Sequence, residues 1–229
     1  GREIRSLIES GDYIGWDDPR LVTLKALKRR GILPEAFTKL AKQIGLSKTQ
    51  TNLDFGVIAA VNRNLLDEQA RRFFAVADPV TISVSGIPED TKQFELSFHP
   101  HGKKGERPLP VTNEYLIEKK DHERVQPGQI VRFIDAMNIQ KVDDTSYVFV
   151  SMDYEAYQKA ENTAGLIHFI PKDGDELKAS ILWDDAKERK LMVEQNGSHL
   201  KPGDIIQFER FCFARVDHVK EDGTLGFWY

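Results

Sequence analysis

The sequence contains Val125-Gln126-Pro127-Gly128-Gln129-Ile130-Val131-Arg132-Phe133 and, further along, Leu200-Lys201-Pro202-Gly203-Asp204-Ile205-Ile206-Gln207-Phe208. Each stretch has an apolar residue, a polar residue, a Pro-Gly turn and an apolar run with one long polar side chain before Phe. Pro-Gly suits the two centre positions of a type II turn, because Gly accepts a positive φ. We interpret the stretches as a repeat in which Arg132 and Gln207 are equivalent, and we expect these two residues to face one shared cleft. The alternative is chance, since Pro-Gly turns before strands are common.

Short segments of strand-like alternation surround this repeat. Val80, Ile82 and Val84 alternate with hydroxyl residues, which is the period of a strand with one buried face. Further apolar runs follow, and they are separated by the turn signals Asp173-Gly174, Asn196-Gly197 and Asp222-Gly223. Short strands at this spacing are typical of sandwiches and barrels. Together with the repeat, the pattern predicts two small antiparallel β-barrels.

The front of the chain has helical periodicity. We expect helices over residues 2–10, 19–30, 34–44 and 54–66, the last resuming over 67–74. Asp18 is a good N-cap for a helix that begins at Pro19, and Gly31 suits its C-cap. The predicted fold is therefore α+β and multidomain, with a helical domain over residues 1–75 and a β region over residues 76–229.

Composition indicates an ordinary soluble protein. Residues 1–72 hold 13 Lys+Arg and 9 Asp+Glu, a net charge of +4, so the remaining 19 and 27 give −8 and the whole chain −4. The basic front is compatible with phosphate contact. A single cysteine, Cys212, excludes an internal disulfide and fits a reducing compartment, so we expect a cytoplasmic protein. The sequence has no apolar run of membrane-spanning length and no signal-peptide pattern, and it begins with Gly, as an expressed fragment or processed product would.

The sequence carries no pattern of catalytic residues. It has no Gly-rich phosphate loop and no His or Cys at metal-ligand spacing. His99 and His101 flank Pro100 in a segment rich in Gly, Lys and Pro, which we interpret as a solvated loop. We therefore expect neither a catalytic site nor a metal site in this chain.

Several longer strings resemble one enzyme family. They are Gly15-Trp16-Asp17-Asp18-Pro19-Arg20-Leu21, Ala70-Arg71-Arg72-Phe73-Phe74-Ala75-Val76-Ala77-Asp78-Pro79-Val80, Gly165-Leu166-Ile167-His168-Phe169 and Gln207-Phe208-Glu209-Arg210-Phe211. All are similar to segments that follow the catalytic domain in class I glutamyl- and glutaminyl-tRNA synthetases. The sequence that begins at Asn52-Leu53-Asp54-Phe55 is more similar to that of the archaeal-type glutamyl enzymes. The resemblance implies a helical connecting domain followed by two β-barrels of the anticodon-binding type.

The resemblance also implies site residues and partners. In the family, barrel residues read the splayed anticodon bases, and the matching positions here are Arg72, Arg124, Arg132, Gln207 and Arg210. Lys103, Lys104 and Arg107 are candidate contacts to the RNA backbone. The implied partners are tRNA(Glu) and the catalytic domain of the same polypeptide, in a monomer. ATP and Mg²⁺ would serve the full enzyme, and this part would be inactive alone.

The sequence leaves alternatives open. The chain resembles the corresponding part of a glutaminyl-tRNA synthetase nearly as well, and a stand-alone, non-enzymatic RNA-binding module could have the same fold. Among the candidate residues, Arg124 could simply pair with nearby acidic residues. Arg210, which we expect on a late strand between Phe208 and Cys212, could lie along the edge of the core. The basic loop could be solvated only.

Overall fold

The chain begins with helices and continues as strands. The computed structural model describes residues 2–45, 55–100 and 104–229. Its helices are α1 (Arg2–Glu9), α2 (Leu24–Arg29), α3 (Pro34–Ile44), α4 (Phe55–Gln69), α5 (Lys119–Arg124) and α6 (Tyr154–Lys159), with a 3₁₀ helix at Gln195–His199. The described helices thus lie mainly in the first third of the chain, as the helical periodicity predicts.

Helix α2 corrects the prediction for the segment after Asp18. It begins at Leu24 rather than Pro19, because Thr23 is extended and its hydroxyl accepts a hydrogen bond from Ala26 N at 3.1 Å. Asp18 instead closes a turn, since its carboxylate accepts from Ile14 N and Arg20 N, each at 3.0 Å. The acidic residue is therefore a loop anchor and not a helix cap.

Helix α4 extends past the predicted break at residue 66 but ends before residue 74. It continues through Gln69 without the predicted interruption, and Arg71–Phe73, predicted as helical, forms a strand. The predicted start at residue 54 lies outside the described residues. Asn62 of α4 is buried and bonds to both Leu33 N and Gly31 O, at 2.9 and 3.1 Å, which fixes α4 against the turn before α3.

The described residues then form sixteen strands in chain order. They are β1 (Arg71–Phe73), β2 (Ala75–Val76), β3 (Pro79–Ser85), β4 (Gln93–Phe94), β5 (Leu109–Pro110), β6 (Glu114–Glu118), β7 (Ile130–Phe133), β8 (Asn138–Lys141), β9 (Ser146–Ser151), β10 (Thr163–Ile167), β11 (Ile170–Pro171), β12 (Leu177–Leu182), β13 (Glu188–Val193), β14 (Ile205–Phe208), β15 (Cys212–Val219) and β16 (Leu225–Trp228). Fourteen belong to two seven-stranded sheets, and β4 pairs only with β5.

Both sheets are rolled, so that the protein is mostly β with barrel-like sheets. Sheet one has the order β10-β7-β8-β9-β3-β6-β11, and sheet two has the order β1-β14-β15-β16-β12-β13-β2. In each sheet the two edge strands are consecutive in the chain, separated by Phe74 in sheet two and by His168 and Phe169 in sheet one. Edges joined by so short a connection must lie close together, which requires each sheet to curl back towards closure.

The two sheets have the same topology, position by position. Going from β10 to β11, or from β1 to β2, the neighbouring strands pair parallel, antiparallel, antiparallel, parallel, antiparallel and antiparallel. The expectation of wholly antiparallel barrels was therefore wrong, because two pairs in each sheet join strands from distant parts of the chain. Parallel neighbours need such long connections. The match places Arg132 of β7 and Gln207 of β14 at equivalent positions, as the Pro-Gly repeat predicts.

The duplicated halves exchange their first strands. Strands β1 and β2 precede the strands of sheet one but pair in sheet two, whereas β10 and β11 precede the later strands of sheet two but pair in sheet one. Residues 73–76 reflect this exchange, since Phe73 and Ala75 belong to the core of sheet two while Phe74 and Val76 belong to the core of sheet one. Each half is thus completed by strands of the other.

Two arginines attach the helical region to sheet two. Arg29 donates to both carboxylate oxygens of Asp217, each at 2.9 Å, and its guanidinium lies 3.8 Å from the ring centre of Trp228. Arg30 donates from Nε to Tyr229 O at 2.9 Å. These basic residues therefore make intramolecular contacts at the end of α2, and the hydrogen bonds fix the helices against β15 and β16.

Candidate nucleic-acid interface

Two predicted site residues lie side by side on neighbouring strands. Arg72 of β1 pairs with Gln207 of β14 in the parallel register. Phe73, Ile206 and Phe208 point into the core, so the alternation of side chains places Arg72 and Gln207 on the outer face of sheet two. The sequence separates these two residues widely, and the strand exchange brings them together.

The Arg72 guanidinium lies between two carboxylates. Its Nη2 is 3.2 Å from Asp67 at the end of α4, and its Nη1 is 3.6 Å from Glu209. The remaining donor, Nε, is buried and has no hydrogen-bond partner among the described residues. A buried donor without an acceptor lowers the stability of the fold unless a ligand or a water molecule accepts a hydrogen bond from it.

Gln207 presents the complementary group. Its Oε1 is buried and also lacks a hydrogen-bond partner within the described part of the chain. The residue lines a cavity of about 290 Å³ between α4 and sheet two, and three arginines share that lining: Arg30, Arg63 and Arg210. The aromatic residues of the wall are Phe55, Phe208, Phe211, Phe213 and Tyr229. Cationic donors, aromatic faces and an open acceptor form a suitable environment for an unstacked nucleobase.

Arg210 lies in a turn and not in the predicted late strand. It follows β14 with a φ of 62°, and Asp135, at the equivalent position after β7, has a φ of 56°. The Arg210 side chain crosses to sheet one, where it contacts Asp121 at 2.7 and 3.1 Å and His168 Nδ1 at 3.2 Å. The side chain therefore bridges the two sheets beside the cavity.

Asp121 forms ion pairs with two of the predicted site arginines, Arg124 and Arg210. Arg124 of α5 contacts it at 3.0 Å, in addition to Arg210 on its other side. Burial pushes the pKa of Asp121 upward, but the hydrogen bonds from Arg210 and Arg124 outweigh burial and leave that pKa below its ordinary value. Arg124 also donates to Ala164 O. The local pairing considered for Arg124 is present, although its side chain is 45% exposed.

Arg132 is buried within a polar niche of its own. Its Nη1 donates to Asn138 Oδ1 at 2.9 Å and to Met152 O at 3.2 Å, and the guanidinium lies 5.1 Å from the ring centre of Tyr154. Burial lowers the pKa of Arg132, but an arginine remains protonated at neutral pH. Within the described ranges no carboxylate forms an ion pair with it, so an anion or a base carbonyl is a suitable partner.

Arg132 does not line the cavity beside Gln207. Equivalent positions in two related barrels led us to expect one shared cleft. Gln207 lines the cavity beside α4, whereas Arg132 is absent from that lining and is covered by the segment around Tyr154. The cavity therefore does not support a shared cleft, which stays a prediction, and the equivalent outer faces of the two sheets are covered by different elements.

The candidate backbone contacts are corrected in part. Arg107 is 1% exposed, because Glu194 and Glu209 hold its two terminal nitrogens at 2.6 and 2.9 Å. It is a core ion-pair residue and not a surface cation. Lys104 is exposed, while Lys103 lies outside the described residues. The interpretation of the neighbouring loop as solvated is also wrong for His99, which is buried and lies with Nε2 2.8 Å from Asp67 O.

Sequence reasoning missed two residues beside the candidate site. Glu209 contacts both Arg72 and Arg107, and Tyr154 forms a half-exposed aromatic face next to Arg132. Glu209 lay within a quoted family string, but no local signal gave it a role of its own. Tyr154 stood in a segment without a recognisable motif, so no local signal marked it.

Two negative findings concern the described residues only. Over residues 2–45, 55–100 and 104–229, no three His, Cys, Asp or Glu side chains cluster as a metal site. No helix in those same ranges is long and apolar enough to cross a membrane.

Comparison with known proteins decides the family. Residues 70–155 match one family profile and residues 150–217 match a second, both described as the anticodon-binding domain of class I tRNA synthetases for E and Q. The chain belongs to the class I glutamyl- and glutaminyl-tRNA synthetases. The two matched segments follow the two halves of the duplication, β1–β9 and then β10 onwards, rather than the two sheets.

Individual members of this family match almost the whole chain. A glutamate–tRNA ligase of Pyrococcus abyssi is 37% identical over 98% of the chain, and one of Methanobrevibacter smithii is 37% identical over 97%. A glutamate–tRNA ligase of Hyperthermus butylicus is 32% identical over 96% of the chain. The chain spans 39% of the length of each of these relatives. The similarity is therefore to one part of a longer enzyme.

Proposed function

We propose that this chain is the tRNA(Glu)-binding, anticodon-reading part of a glutamate–tRNA ligase. The observation that carries the proposal is the Arg72–Gln207 pair, which combines a buried unpaired donor with a buried unpaired acceptor. The family match, over 70–155 and 150–217, supports anticodon binding as the role of these sheets. The relatives are glutamate–tRNA ligases, which favours glutamate over glutamine as the amino acid.

The pair suits a uracil edge. Uracil presents an N–H donor between two carbonyl acceptors, and the middle base of the glutamate anticodon is uracil. On this proposal, Gln207 Oε1 accepts from the base N–H, and Arg72 donates to a base carbonyl. The cavity beside Gln207 supplies aromatic walls for the unstacked base.

The remaining site residues take distinct roles on this proposal. Arg132 reads a second base against the Tyr154 ring, while Arg124 and Arg210 meet the RNA beside Asp121. Lys103 and Lys104 contact the RNA backbone. Arg107 is left out of the RNA contacts, because its donors are already used within the core.

The proposed architecture consists of a helical region and two β-barrels. Residues 1–75 form the helical connecting region, and residues 76–229 form two β-barrels of the anticodon-binding type, to which residues 71–76 also contribute strands. The equal topology of the two rolled sheets supports the pair of barrels. The enzyme is a cytoplasmic monomer on this proposal. Activation of glutamate with ATP and Mg²⁺ takes place in the part of the relatives' length that this chain does not span.

A titration of RNA tests this function. The chain is mixed with tRNA(Glu) and with a tRNA whose anticodon lacks the middle uracil, at several salt concentrations. We expect tighter binding to tRNA(Glu) and an affinity that falls with salt, with a log–log slope of about −0.7 per phosphate contact. Equal affinity for both tRNAs, or affinity indifferent to salt, would contradict the proposed function.

A further inference from the structure

A buried chain of alternating charges passes beneath the Arg72–Gln207 pair. Arg107 donates to Glu194 at 2.6 Å and to Glu209 at 2.9 Å, and Glu209 lies 3.6 Å from Arg72. The chain ends at Asp67, which lies 3.2 Å from Arg72. Charge signs thus alternate over five side chains from the core to the surface.

The inner end of this chain is fixed. The side chains of Arg107 and Glu194 are 1% and 0% exposed. Glu194 also accepts from Phe74 N at 2.8 Å, and the Arg107 guanidinium lies 4.3 Å from the ring centre of Phe74. Burial raises the pKa of Glu194 while the Arg107 guanidinium opposes that rise, and this buried pair cannot exchange its partners for water without a large desolvation cost.

Glu209 connects this fixed ion pair to Arg72, which is proposed to contact the base. It lies two residues after Gln207, and its backbone N–H donates to Phe73 O at 3.0 Å, next to Arg72. Its Oε2 accepts from Arg107 while its Oε1 faces Arg72. The Glu209 carboxylate is therefore held by the fully buried Arg107 and in turn restrains the partly buried Arg72.

The other partner of Arg72 is Asp67, whose carboxylate accepts a hydrogen bond from Nη2 at 3.2 Å. Asp67 is 58% exposed, against 13% for Glu209. Exposed ion pairs are screened and contribute little to order. Without Glu209, Arg72 would keep this exposed hydrogen bond, but its guanidinium would turn more readily towards RNA phosphates, which carry no sequence information.

We infer that Arg107 and Glu209 are positioning residues that hold Arg72 in the orientation for reading a base. This inference rests on the proposed anticodon-reading function. The pair would confer discrimination between bases rather than overall affinity, because neither side chain has to touch the RNA. A structural role alone would change binding to all RNAs alike.

The test is the substitution Glu209→Gln in the full chain, which keeps the shape and removes the charge. The probes are two anticodon stem-loops of tRNA(Glu), one with the middle uracil and one with cytosine in its place. We expect the ratio of the two affinities to fall about tenfold, the lower range for a good side-chain-to-base contact. Binding to the cytosine probe should stay the same or rise, since a negative charge near the RNA is lost.

Controls separate the possible outcomes. Glu221→Gln removes the same charge from an exposed turn and should leave the ratio unchanged. Arg72→Ala combined with Glu209→Gln should lose no more discrimination than Arg72→Ala alone, if Glu209 acts through Arg72. Arg107→Lys, which keeps the charge but loses the two-carboxylate bridge, should lower the ratio as well. Thermal unfolding of each variant shows whether it is folded.

Failure of this inference is distinct from failure of the proposed function. If the unsubstituted chain does not discriminate between the stem-loops, the proposed function is wrong. If the unsubstituted chain discriminates and Glu209→Gln keeps the full ratio, the positioning role is overturned. An equal loss of affinity for both probes also overturns that role.

Discussion

Arg72 and Gln207 stand opposite each other in a parallel strand pair, and each has a buried polar atom without a hydrogen-bond partner among the described residues. One is a donor and the other an acceptor. They come from different halves of an internal duplication and meet because β1 crosses into sheet two. The candidate reading site is thus a direct product of the strand exchange.

The exchange predicts cooperative unfolding of both sheets. Phe74 links the two edge strands of sheet two while packing in the core of sheet one. Phe74→Ala should therefore destabilise the protein by about 3–5 kcal/mol, the usual cost for a buried phenylalanine. Denaturant unfolding followed by tryptophan fluorescence and by far-ultraviolet circular dichroism should show one coincident transition. Two separate transitions would contradict the interdependence of the sheets.

Asp18 predicts a loss of stability in acid. Hydrogen bonds from Arg20, together with those from backbone N–H groups, lower the pKa of Asp18 to about 2. A depressed pKa stabilises the fold above the unfolded value near 4, and this contribution is lost as pH falls towards 2. Asp18→Asn should cost on the order of 1 to 2 kcal/mol at pH 7, since screening at the partly exposed Arg20 reduces the full effect. The free energies of unfolding of variant and parent, measured from pH 7 to pH 2, should converge.

Cys212 should be unreactive in the folded protein. Burial raises the pKa of its thiol to about 12, and the thiolate is the reactive species. We expect a thiol reagent at pH 8 to modify the protein rapidly only in denaturant. Rapid stoichiometric modification without denaturant would show that the thiol is accessible and ionised.

Arg132 should contribute to binding in its own niche. Arg132→Ala should weaken binding to the anticodon stem-loop by about 1–3 kcal/mol, and the loss should depend on the anticodon base that contacts the Tyr154 face. Tyr154→Ala should cost about 1–3 kcal/mol through lost stacking. Val150→Ala, at an exposed apolar position shortly before Tyr154 in the chain, is the matched control for Tyr154→Ala. The measurement is a titration against stem-loops changed at one anticodon base at a time.

Local sequence signals predicted much of the fold. The Pro-Gly turns before Arg132 and Gln207 predicted equivalent strands, because turn chemistry and strand alternation act over a few residues. Gly31 and Gly45 have the positive φ that their predicted positions at helix ends require. The exchange of β1 could not be predicted, since the sheet that a strand joins depends on distant partners.

Side-chain environments were harder to predict than backbone elements. Arg107 looked like a surface cation because it lies in a basic, Gly-rich and Pro-rich segment. Its carboxylate partners, Glu194 and Glu209, are 87 and 102 positions away, so no local pattern reveals the burial. Arg210 was expected on a strand, between Phe208 and Cys212 on one face, yet it occupies the left-handed position of a turn.

The most direct test of the account is binding of Gln207→Ala to two stem-loops that differ only in the middle anticodon base. We predict that this substitution weakens binding to the uracil stem-loop and leaves binding to the cytosine stem-loop nearly unchanged, because ring N3 carries a hydrogen in uracil but is an acceptor in cytosine and cannot complete Gln207 Oε1. The loss should be smaller than that for Arg72→Ala, since a neutral amide makes weaker hydrogen bonds than a guanidinium. Equal losses for both stem-loops, or no loss for either, would contradict base reading at this site.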